Sequence, residues 1–212
     1  MHNELIEPIV YVIDDDQDVC DSLTWLLGSV QLQVKSFNSA HEFLSYSRPE
    51  TPACLILDIR MRGMSGLQLQ AQLLEQGIYI PIIFMTGHGD IPMSVTAMRQ
   101  GAFDFLEKPF NPQHMLNQIQ ICLQQAEIDF KKQRQLKCNL QKLNSLSPRE
   151  REIVELLVDG LASKQIAQQL QISHKTVEIH RAHIRQKLEI ESVAQLVNLV
   201  LNCRGTRLQP AV

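Results

Sequence analysis

Four polar sites in the first half of the chain carry side chains that could do chemistry together. In chain order they are Asp14, Asp15 and Asp16, then Asp58, then Thr86, then Lys108. Carboxylates that lie close together raise one another's pKa unless a cation offsets their charge. Magnesium is such a cation, because it takes oxygen ligands and keeps part of its water shell. A carboxylate nucleophile beside Mg²⁺, a lysine and a hydroxyl is suited to accepting a phosphoryl group.

Each of these polar sites follows one of five short apolar runs that have the composition of buried strands. The runs are Ile9–Ile13, Leu32–Phe37, Cys54–Leu57, Pro81–Met85 and Phe103–Leu106. Apolar residues recur at helical spacing between them, which predicts five βα units and a mostly parallel sheet covered on both faces. Because ligands bind at the carboxyl ends of the strands in such sheets, we expect the polar side chains to meet at one rim.

No single residue in this set identifies a function. Three consecutive aspartates are more often a solvated loop or a helix cap than a metal site. A threonine at a strand end is usually a turn residue. The pattern becomes specific only through the order of the four polar sites, each at the end of a strand.

The composition is that of an ordinary globular protein with one large domain or two modest ones. The chain has 212 residues, 44% hydrophobic and 20% charged, and no apolar run reaches the roughly 18 residues needed to span a bilayer. Its five cysteines lack metal-binding spacing, which favours reduced thiols and a cytoplasmic location. Residues 1–126 hold 6 basic and 14 acidic residues, whereas residues 127–212 hold 14 basic and 9 acidic ones. The two halves are therefore expected to bind different partners.

The second half of the chain is predicted to be helical. Residues 125–144 are rich in Gln and Lys and indicate a helical linker, with a dimerising helix as the alternative. Ser147 and Glu150 form a capping box that begins the next helix. A short helix at Ser163–Leu170, a tight turn and a longer helix to about Leu188 then form a helix-turn-helix.

The first half resembles the receiver domain of two-component response regulators. The resemblance rests on Val12-Ile13-Asp14-Asp15-Asp16, Leu57-Asp58-Ile59-Arg60-Met61, Met64-Ser65-Gly66, Met85-Thr86-Gly87-His88-Gly89-Asp90 and Asp104-Phe105-Leu106-Glu107-Lys108-Pro109. The Thr-Gly-His-Gly-Asp stretch is typical of the FixJ-like subgroup. The resemblance covers about residues 8–124 and implies an α/β flavodoxin-like (CheY-like) fold, a doubly wound five-stranded parallel sheet.

The resemblance implies a role for each polar residue at the rim. Asp58 is the expected phosphoacceptor. Asp14, Asp15, Asp58 and the backbone carbonyl of Arg60 are the expected Mg²⁺ ligands, and Asp16 is expected to act indirectly.

The resemblance also implies a switch. Thr86 and Lys108 are expected to contact the phosphoryl oxygens, and Phe105 is the expected aromatic switch that turns inward when Thr86 moves. From the residues alone, an ordinary core phenylalanine of the fifth strand is the alternative for Phe105.

One position departs from the pattern of the family, since Arg62 stands where the family usually has proline. Proline would stiffen the loop after Asp58, so Arg62 is expected to loosen the loop and to add charge near the site. Arg60 and His88 flank the site and are expected to tune hydrolysis of the phosphoaspartate. His88 as a general base is the alternative.

The C-terminal helices resemble the LuxR-type DNA-binding domain over about residues 145–204. The resemblance rests on Leu146-Ser147-Pro148-Arg149-Glu150, Ile166-Ala167, Leu170, Ile172-Ser173, Thr176-Val177, His180, Ile184 and Lys187-Leu188. It implies an all-α domain of four helices. The second helix of the helix-turn-helix is expected to enter the major groove of DNA.

Nine residues of this domain are expected to contact DNA. Those expected to face the DNA backbone are Lys164, Thr176, His180 and Lys187. Those expected to lie nearer base edges are Lys175, Glu178, Ile179, Arg181 and Ala182. A structural histidine packed against the first helix is the alternative for His180.

The two resemblances together predict a phosphorylation-activated transcriptional regulator rather than an enzyme, with any catalysis limited to its own phosphotransfer and dephosphorylation. The predicted domains are a receiver at 1–124, a helical linker at 125–144, a LuxR-type DNA-binding domain at 145–204 and a tail at 205–212. The expected partners are a sensor histidine kinase, double-stranded promoter DNA and a second copy of the phosphorylated chain. RNA polymerase is a further candidate partner, and no membrane is expected.

Three other functions compete with this prediction. A degenerate receiver on a phosphorylation-independent DNA-binding protein is disfavoured by the complete Asp, Thr and Lys set. A haloacid-dehalogenase-like phosphatase would need an acid where Arg60 stands. A helical domain that binds protein instead of DNA would give no salt-dependent shift with genomic DNA.

Overall fold

The computed structural model describes residues 7–87 and 91–205. The chain divides into two compact units, with the boundary between Lys131 and Lys132. The first unit is an α/β fold and the second is all-α, which confirms the predicted fold class.

The first unit is built on a five-stranded parallel sheet. Its strands are β1 (Ile9–Ile13), β2 (Gln33–Phe37), β3 (Ala53–Asp58), β4 (Ile82–Thr86) and β5 (Asp104–Glu107). They lie in the order β2-β1-β3-β4-β5, with parallel pairing between all neighbours. Each predicted strand is present to within one residue at either end. The order places the carboxyl ends of β1, β3 and β4 side by side.

Helices cover both faces of this sheet. They are α1 (Gln17–Ser29), α2 (Ala40–Ser45), α3 (Gly66–Glu75), α4 (Ile91–Arg99) and α5 (Pro112–Asn144). Along β1, Tyr11 and Ile13 face one apolar core, which includes residues of α2, α3 and α4, whereas Val10 and Val12 face a second core with α1 and α5. Burial on both faces explains why β1, β3 and β4 are nearly continuous apolar runs rather than alternating ones.

Helix α5 has 33 residues and includes all of the predicted linker segment 125–144. The residues of α5 that are buried in the first unit end at Ala126, after which the helix is mostly polar. In its last turn, Leu143 packs against the apolar core of the second unit.

The second unit contains four further helices around one core. They are α6 (Pro148–Val158), α7 (Ser163–Gln169), α8 (His174–Leu188) and α9 (Val193–Gly205). The predicted capping box begins α6, with Ser147 and Glu150 bonding each other's backbone. Gly160 follows α6 with φ of +86°, a backbone conformation that favours glycine. Among the helices of the two described ranges, none is long and apolar enough to cross a membrane.

Candidate functional site

Four side chains of the first unit lie at the carboxyl edge of the sheet, as the sequence predicts. Asp14 follows β1 directly, Asp58 ends β3, Thr86 ends β4, and Lys108 follows β5 directly. Asp14, Asp58 and Thr86 are buried. Buried polar side chains need partners, and the contacts at this rim supply them.

The ammonium of Lys108 joins two of the carboxylates. Its Nζ donates hydrogen bonds to Asp14 Oδ2 and to Asp58 Oδ1, each over 2.7 Å. Burial raises the pKa of Asp58 and the nearby charge of Asp14 raises it further, and the hydrogen bond from Lys108 offsets only part of the increase. Burial would lower the pKa of Lys108, but its hydrogen bonds to two carboxylates raise it overall. One lysine thus offsets half of the charge of two ionised acids, and a net negative charge remains at the rim.

The second oxygen of Asp58 is held by the backbone. Asp58 Oδ2 accepts a hydrogen bond of 2.8 Å from the Arg60 amide. The side chain of Arg60 is exposed. Both oxygens of the Asp58 carboxylate are therefore fixed in direction at the end of β3.

Asp15 turns toward Arg62 instead of toward Lys108. Asp15 Oδ2 accepts the Arg62 amide at 3.2 Å, and Arg62 Nε lies 3.6 Å from the same oxygen. Asp16 caps α1 by accepting the Asp18 amide, and it donates its own amide to Asp14 Oδ1 at 3.0 Å. The backbone amide of Asp16 therefore contacts Asp14, while its carboxylate caps α1, and the indirect role expected for Asp16 stays a prediction.

The donor set at the rim suits a hard cation, although it is not arranged as a finished metal site. Across residues 7–87 and 91–205, no three acidic, His or Cys side chains converge as metal ligands. The Lys108 ammonium nevertheless lies where Asp14 and Asp58 both approach a cation. Three carboxylates on one rim offer the oxygen ligands that Mg²⁺ prefers, once Asp15 turns from Arg62.

A glycine packs directly against the end of β3. The amide of Gly66, the first residue of α3, donates to Ile59 O at 3.0 Å. A Cβ at this position would lie 2.3 Å from Asp58 O. The absence of a side chain at Gly66 therefore lets α3 begin against the strand end that carries Asp58.

All three residues expected to sense the phosphoryl group, Thr86, Lys108 and Phe105, lie within the described part of the chain. The Thr86 hydroxyl donates to the Gly87 carbonyl at 3.0 Å. Phe105 is 45% exposed, so its ring is not an ordinary core side chain and the alternative interpretation of Phe105 is wrong. His88 lies outside the described residues.

The helix-turn-helix is formed by α7, the turn at residues 170–173 and α8. Ser173 caps α8 by accepting the Thr176 amide at 3.0 Å. On α8, Val177 and Ile184 face the core of the second unit. Of the nine residues expected to contact DNA, those with exposed side chains are Lys164, Lys175, Ile179, Ala182 and Lys187.

Two of the residues expected near base edges are held against α7. Arg181 Nη1 donates to Ser163 Oγ and lies 3.3 Å from Glu178 Oε1. A hydrogen bond with Ser163, together with the charge of Arg181, lowers the pKa of Glu178. These head groups therefore fix α8 on the first residue of α7, a contact that sequence reasoning missed because Ser163 carries no charge.

An ion pair between a buried carboxylate of α6 and an exposed lysine of α8 joins these two helices. Lys187 Nζ donates to Glu150 Oε2 at 2.7 Å, and Glu150 is 3% exposed. Burial by itself raises the pKa of Glu150, but hydrogen bonds from Lys187 and Ser147 reverse that effect and lower it. His180 Nδ1 is buried and has no hydrogen-bond partner within the described residues, which supports a packing role for its ring. The capping box in the sequence gave no indication that Glu150 also pairs with Lys187.

Family models match both units of the chain. A response regulator receiver domain matches residues 10–120, and a model of bacterial regulatory proteins of the luxR family matches residues 144–200. The two matches together span most of the chain.

Known proteins resemble the chain over nearly its whole length. The transcriptional regulatory protein TdiR of Thauera aromatica is 44% identical over 91% of this chain and 85% of its own length. Nodulation protein W of Bradyrhizobium diazoefficiens is 43% identical over 90% of this chain and 84% of its own. The solved structure of the response regulator StyR superposes with a TM-score of 0.82 and 45% identity, covering 92% of this chain and 98% of that one.

Proposed function

Because this chain belongs to the response-regulator family and joins a receiver domain to a LuxR-type DNA-binding domain, we propose that phosphorylation of Asp58 controls its binding to promoter DNA. The observation that carries the proposal is the buried Asp58 carboxylate at the end of β3, fixed by Lys108 and by the Arg60 amide. In the proposed division of the chain, residues 1–124 are the receiver, 125–144 the linker and 145–204 the DNA-binding domain.

Asp58 is the proposed nucleophile toward a phosphohistidine of a sensor kinase. A bond forms between a carboxylate oxygen of Asp58 and phosphorus while the P–N bond of the phosphohistidine breaks, and the imidazole leaves with the electron pair. The raised pKa of Asp58 makes its carboxylate more basic than an exposed one, which favours attack. Lys108 offsets the negative charge on the phosphoryl oxygens, and the Thr86 hydroxyl donates to one of them.

Asp14, Asp15, Asp58 and the backbone carbonyl of Arg60 are the proposed ligands of Mg²⁺. When bound, Mg²⁺ supplies positive charge that lowers the repulsion between the acids and the incoming phosphoryl group. The existing contact of both Asp14 and Asp58 with one ammonium supports the proposal, because it shows that this rim stabilises a cation.

The proposed response to phosphorylation is a change of population between two states of the receiver. Thr86 moves toward the phosphoryl group and Phe105, whose ring is now 45% exposed, turns inward. The altered surface of α4, β5 and α5 then binds a second phosphorylated copy, so that two copies of α8 meet two half-sites of DNA. Contact of the bound dimer with RNA polymerase belongs to the same proposal.

Contacts with DNA are proposed for the exposed face of the helix-turn-helix. Lys164 and the half-buried Thr176 are the proposed phosphate contacts, and the exposed Lys175, Ile179 and Ala182 are the proposed contacts with base edges. Arg181, Glu178 and Lys187 are engaged within the protein, so in this proposal they first position α8 and contact DNA only if those pairs open.

The test is phosphoryl incorporation from an acyl phosphate in the presence of Mg²⁺, followed by intact mass. The wild-type chain is expected to gain one phosphoryl group and Asp58→Asn none. Asp21→Asn, which changes an exposed carboxylate of α1, serves as the matched control and is expected to react as wild type does. Failure of the wild type to react at any Mg²⁺ concentration would overturn the proposal.

A second experiment tests the coupling to DNA. Phosphorylated and unphosphorylated chains are compared in shift assays with genomic fragments over a range of salt concentrations. Phosphorylation is expected to tighten binding and to increase the mass of the complex to that of a dimer. Equal binding by Asp58→Asn and by the phosphorylated wild type would show a phosphorylation-independent regulator instead.

A further inference from the structure

Arg62 makes two contacts with Asp15 that a proline in its place could not make. Its backbone amide donates to Asp15 Oδ2 at 3.2 Å, and its Nε lies 3.6 Å from that oxygen. Proline has no amide hydrogen and no positive charge, so it could form neither contact. The loop after β3 is therefore tied to the acidic rim by a residue unusual for the family.

All three rim carboxylates accept bonds from donors within the chain. Asp14 accepts from Lys108 and the Asp16 amide, and Asp58 accepts from Lys108 and the Arg60 amide. The donors to Asp15 both come from Arg62, and they meet on one oxygen. Asp15 is thus held by one loop residue, through its backbone amide and through an exposed side chain whose charge a substitution can remove.

We propose that Arg62 sets the Mg²⁺ affinity of the receiver by competing with the ion for Asp15. This inference rests on the proposed metal site and adds a residue that opposes metal binding. A guanidinium beside a metal-ligating carboxylate repels a second cation and occupies the oxygen that the ion needs. Arg62 acts as a positioning residue, since its contact is with Asp15 and not with the phosphoryl group.

The exposure of Arg62 limits the size of this effect. Its side chain is 95% exposed, so solvent and salt screen its charge and the side chain can turn away at little cost. Exposed ion pairs of this kind change a binding constant by about two- to fivefold. Arg62 therefore weakens Mg²⁺ binding without preventing it.

The experiment is a titration of the full-length protein with Mg²⁺ alone, followed by the amide NMR shifts of residues 14–16 and by calorimetry. Arg62→Gln keeps the backbone amide of residue 62 and removes the positive charge. This variant is expected to bind Mg²⁺ about two- to fivefold more tightly than wild type at low ionic strength. Arg62→Lys keeps the charge and is expected to stay close to wild type. The gap between wild type and Arg62→Gln should shrink as salt rises.

Arg134→Gln is the matched control, because it removes an equal charge from an exposed position on α5. Its Mg²⁺ affinity is expected to equal that of wild type, and a shift as large as that of Arg62→Gln would overturn the inference in favour of a net-charge effect. Equal Mg²⁺ affinities for wild type and Arg62→Gln would overturn the inference and leave the proposed metal site standing. No Mg²⁺ binding by wild type would overturn both.

Discussion

Replacement of Gly66 by alanine is expected to disturb the end of β3 that carries Asp58, the proposed phosphoacceptor. A Cβ at residue 66 would lie 2.3 Å from Asp58 O, 3.0 Å from Phe84 Cε1 and 3.1 Å from Leu57 Cγ. Real Cβ contacts essentially never fall below 3.0 Å, so α3 and the strand end must separate by about 0.7 Å. The obstructing atom is backbone of a buried strand, which cannot turn aside as a flexible side chain can.

The expected cost of Gly66→Ala is about 2–3 kcal/mol of unfolding free energy, in the upper part of the range for overpacked cores. Trp25, the single tryptophan, is 77% exposed and so a weak fluorescence probe, and unfolding of the first unit is therefore followed by hydrogen exchange of the β3 amides. Because the displaced backbone carries Asp58, the rate of phosphorylation by an acyl phosphate is also expected to fall at least about tenfold.

Gly28→Ala is the matched control for this substitution. Gly28 lies near the end of α1, and a Cβ there would meet nothing within 4 Å. We expect Gly28→Ala to stabilise the first unit by about 0.5–1 kcal/mol, because alanine restricts the unfolded chain more than glycine does. A Gly66→Ala variant with wild-type stability and a wild-type phosphorylation rate would refute the reasoning.

The remaining predictions concern the second unit. Lys187→Ala leaves the buried Glu150 carboxylate without its cation and is expected to lower the free energy of unfolding by about 1–3 kcal/mol, less than for a fully buried pair because Lys187 is partly exposed. Lys175→Ala, the control, should change the free energy of unfolding by less than about 0.5 kcal/mol. Circular dichroism in urea measures both variants. The lowered pKa of Glu150 implies stability that is present above the ordinary value of 4.5 and is lost as pH falls through the lower folded value. Glu150→Gln should therefore reduce the loss of stability as the pH falls, measured by hydrogen exchange of the α6 amides. Lys164→Ala, which removes a proposed phosphate contact from an exposed position of α7, should weaken DNA binding and reduce the salt slope by about one, measured by fluorescence anisotropy.

Each of these predictions has an outcome that contradicts it. Equal unfolding energies for Lys187→Ala and Lys175→Ala would show that the contact with Glu150 adds nothing. If wild type and Glu150→Gln lose equal stability as the pH falls, other carboxylates cause that loss. A salt slope unchanged by Lys164→Ala would place Lys164 away from the DNA phosphates.

The three central strands, β1, β3 and β4, were predictable because each is buried on both faces. A strand such as β1, with Tyr11 facing one core and Val12 the other, must be apolar throughout, and such a run stands out from the polar residues around it. Helix α5 was harder to delimit. Its second half has few apolar residues, so the sequence indicated a separate linker where the structure has one continuous helix.

The candidate phosphoacceptor site was predictable in its members but not in its contacts. Asp14, Asp58, Thr86 and Lys108 stand at strand ends, and parallel topology brings strand ends to one edge. Which acids Lys108 would pair with could not be derived from spacing, since Asp14 and Asp58 are far from it along the chain. The exposure of Phe105 was likewise open, because an aromatic residue in a short strand fits a core or a surface equally well.

The sequence by itself determined the two kinds of fold and the capping box that begins α6, because apolar periodicity and cap residues act over a few positions. Tertiary structure alone decided the ion pairs: Lys108 with Asp14 and Asp58, Arg62 with Asp15, and Lys187 with Glu150. Long charged side chains pair with whichever opposite charge the packed backbone brings within reach. That choice depends on distances through space, which the order of residues along the chain does not contain.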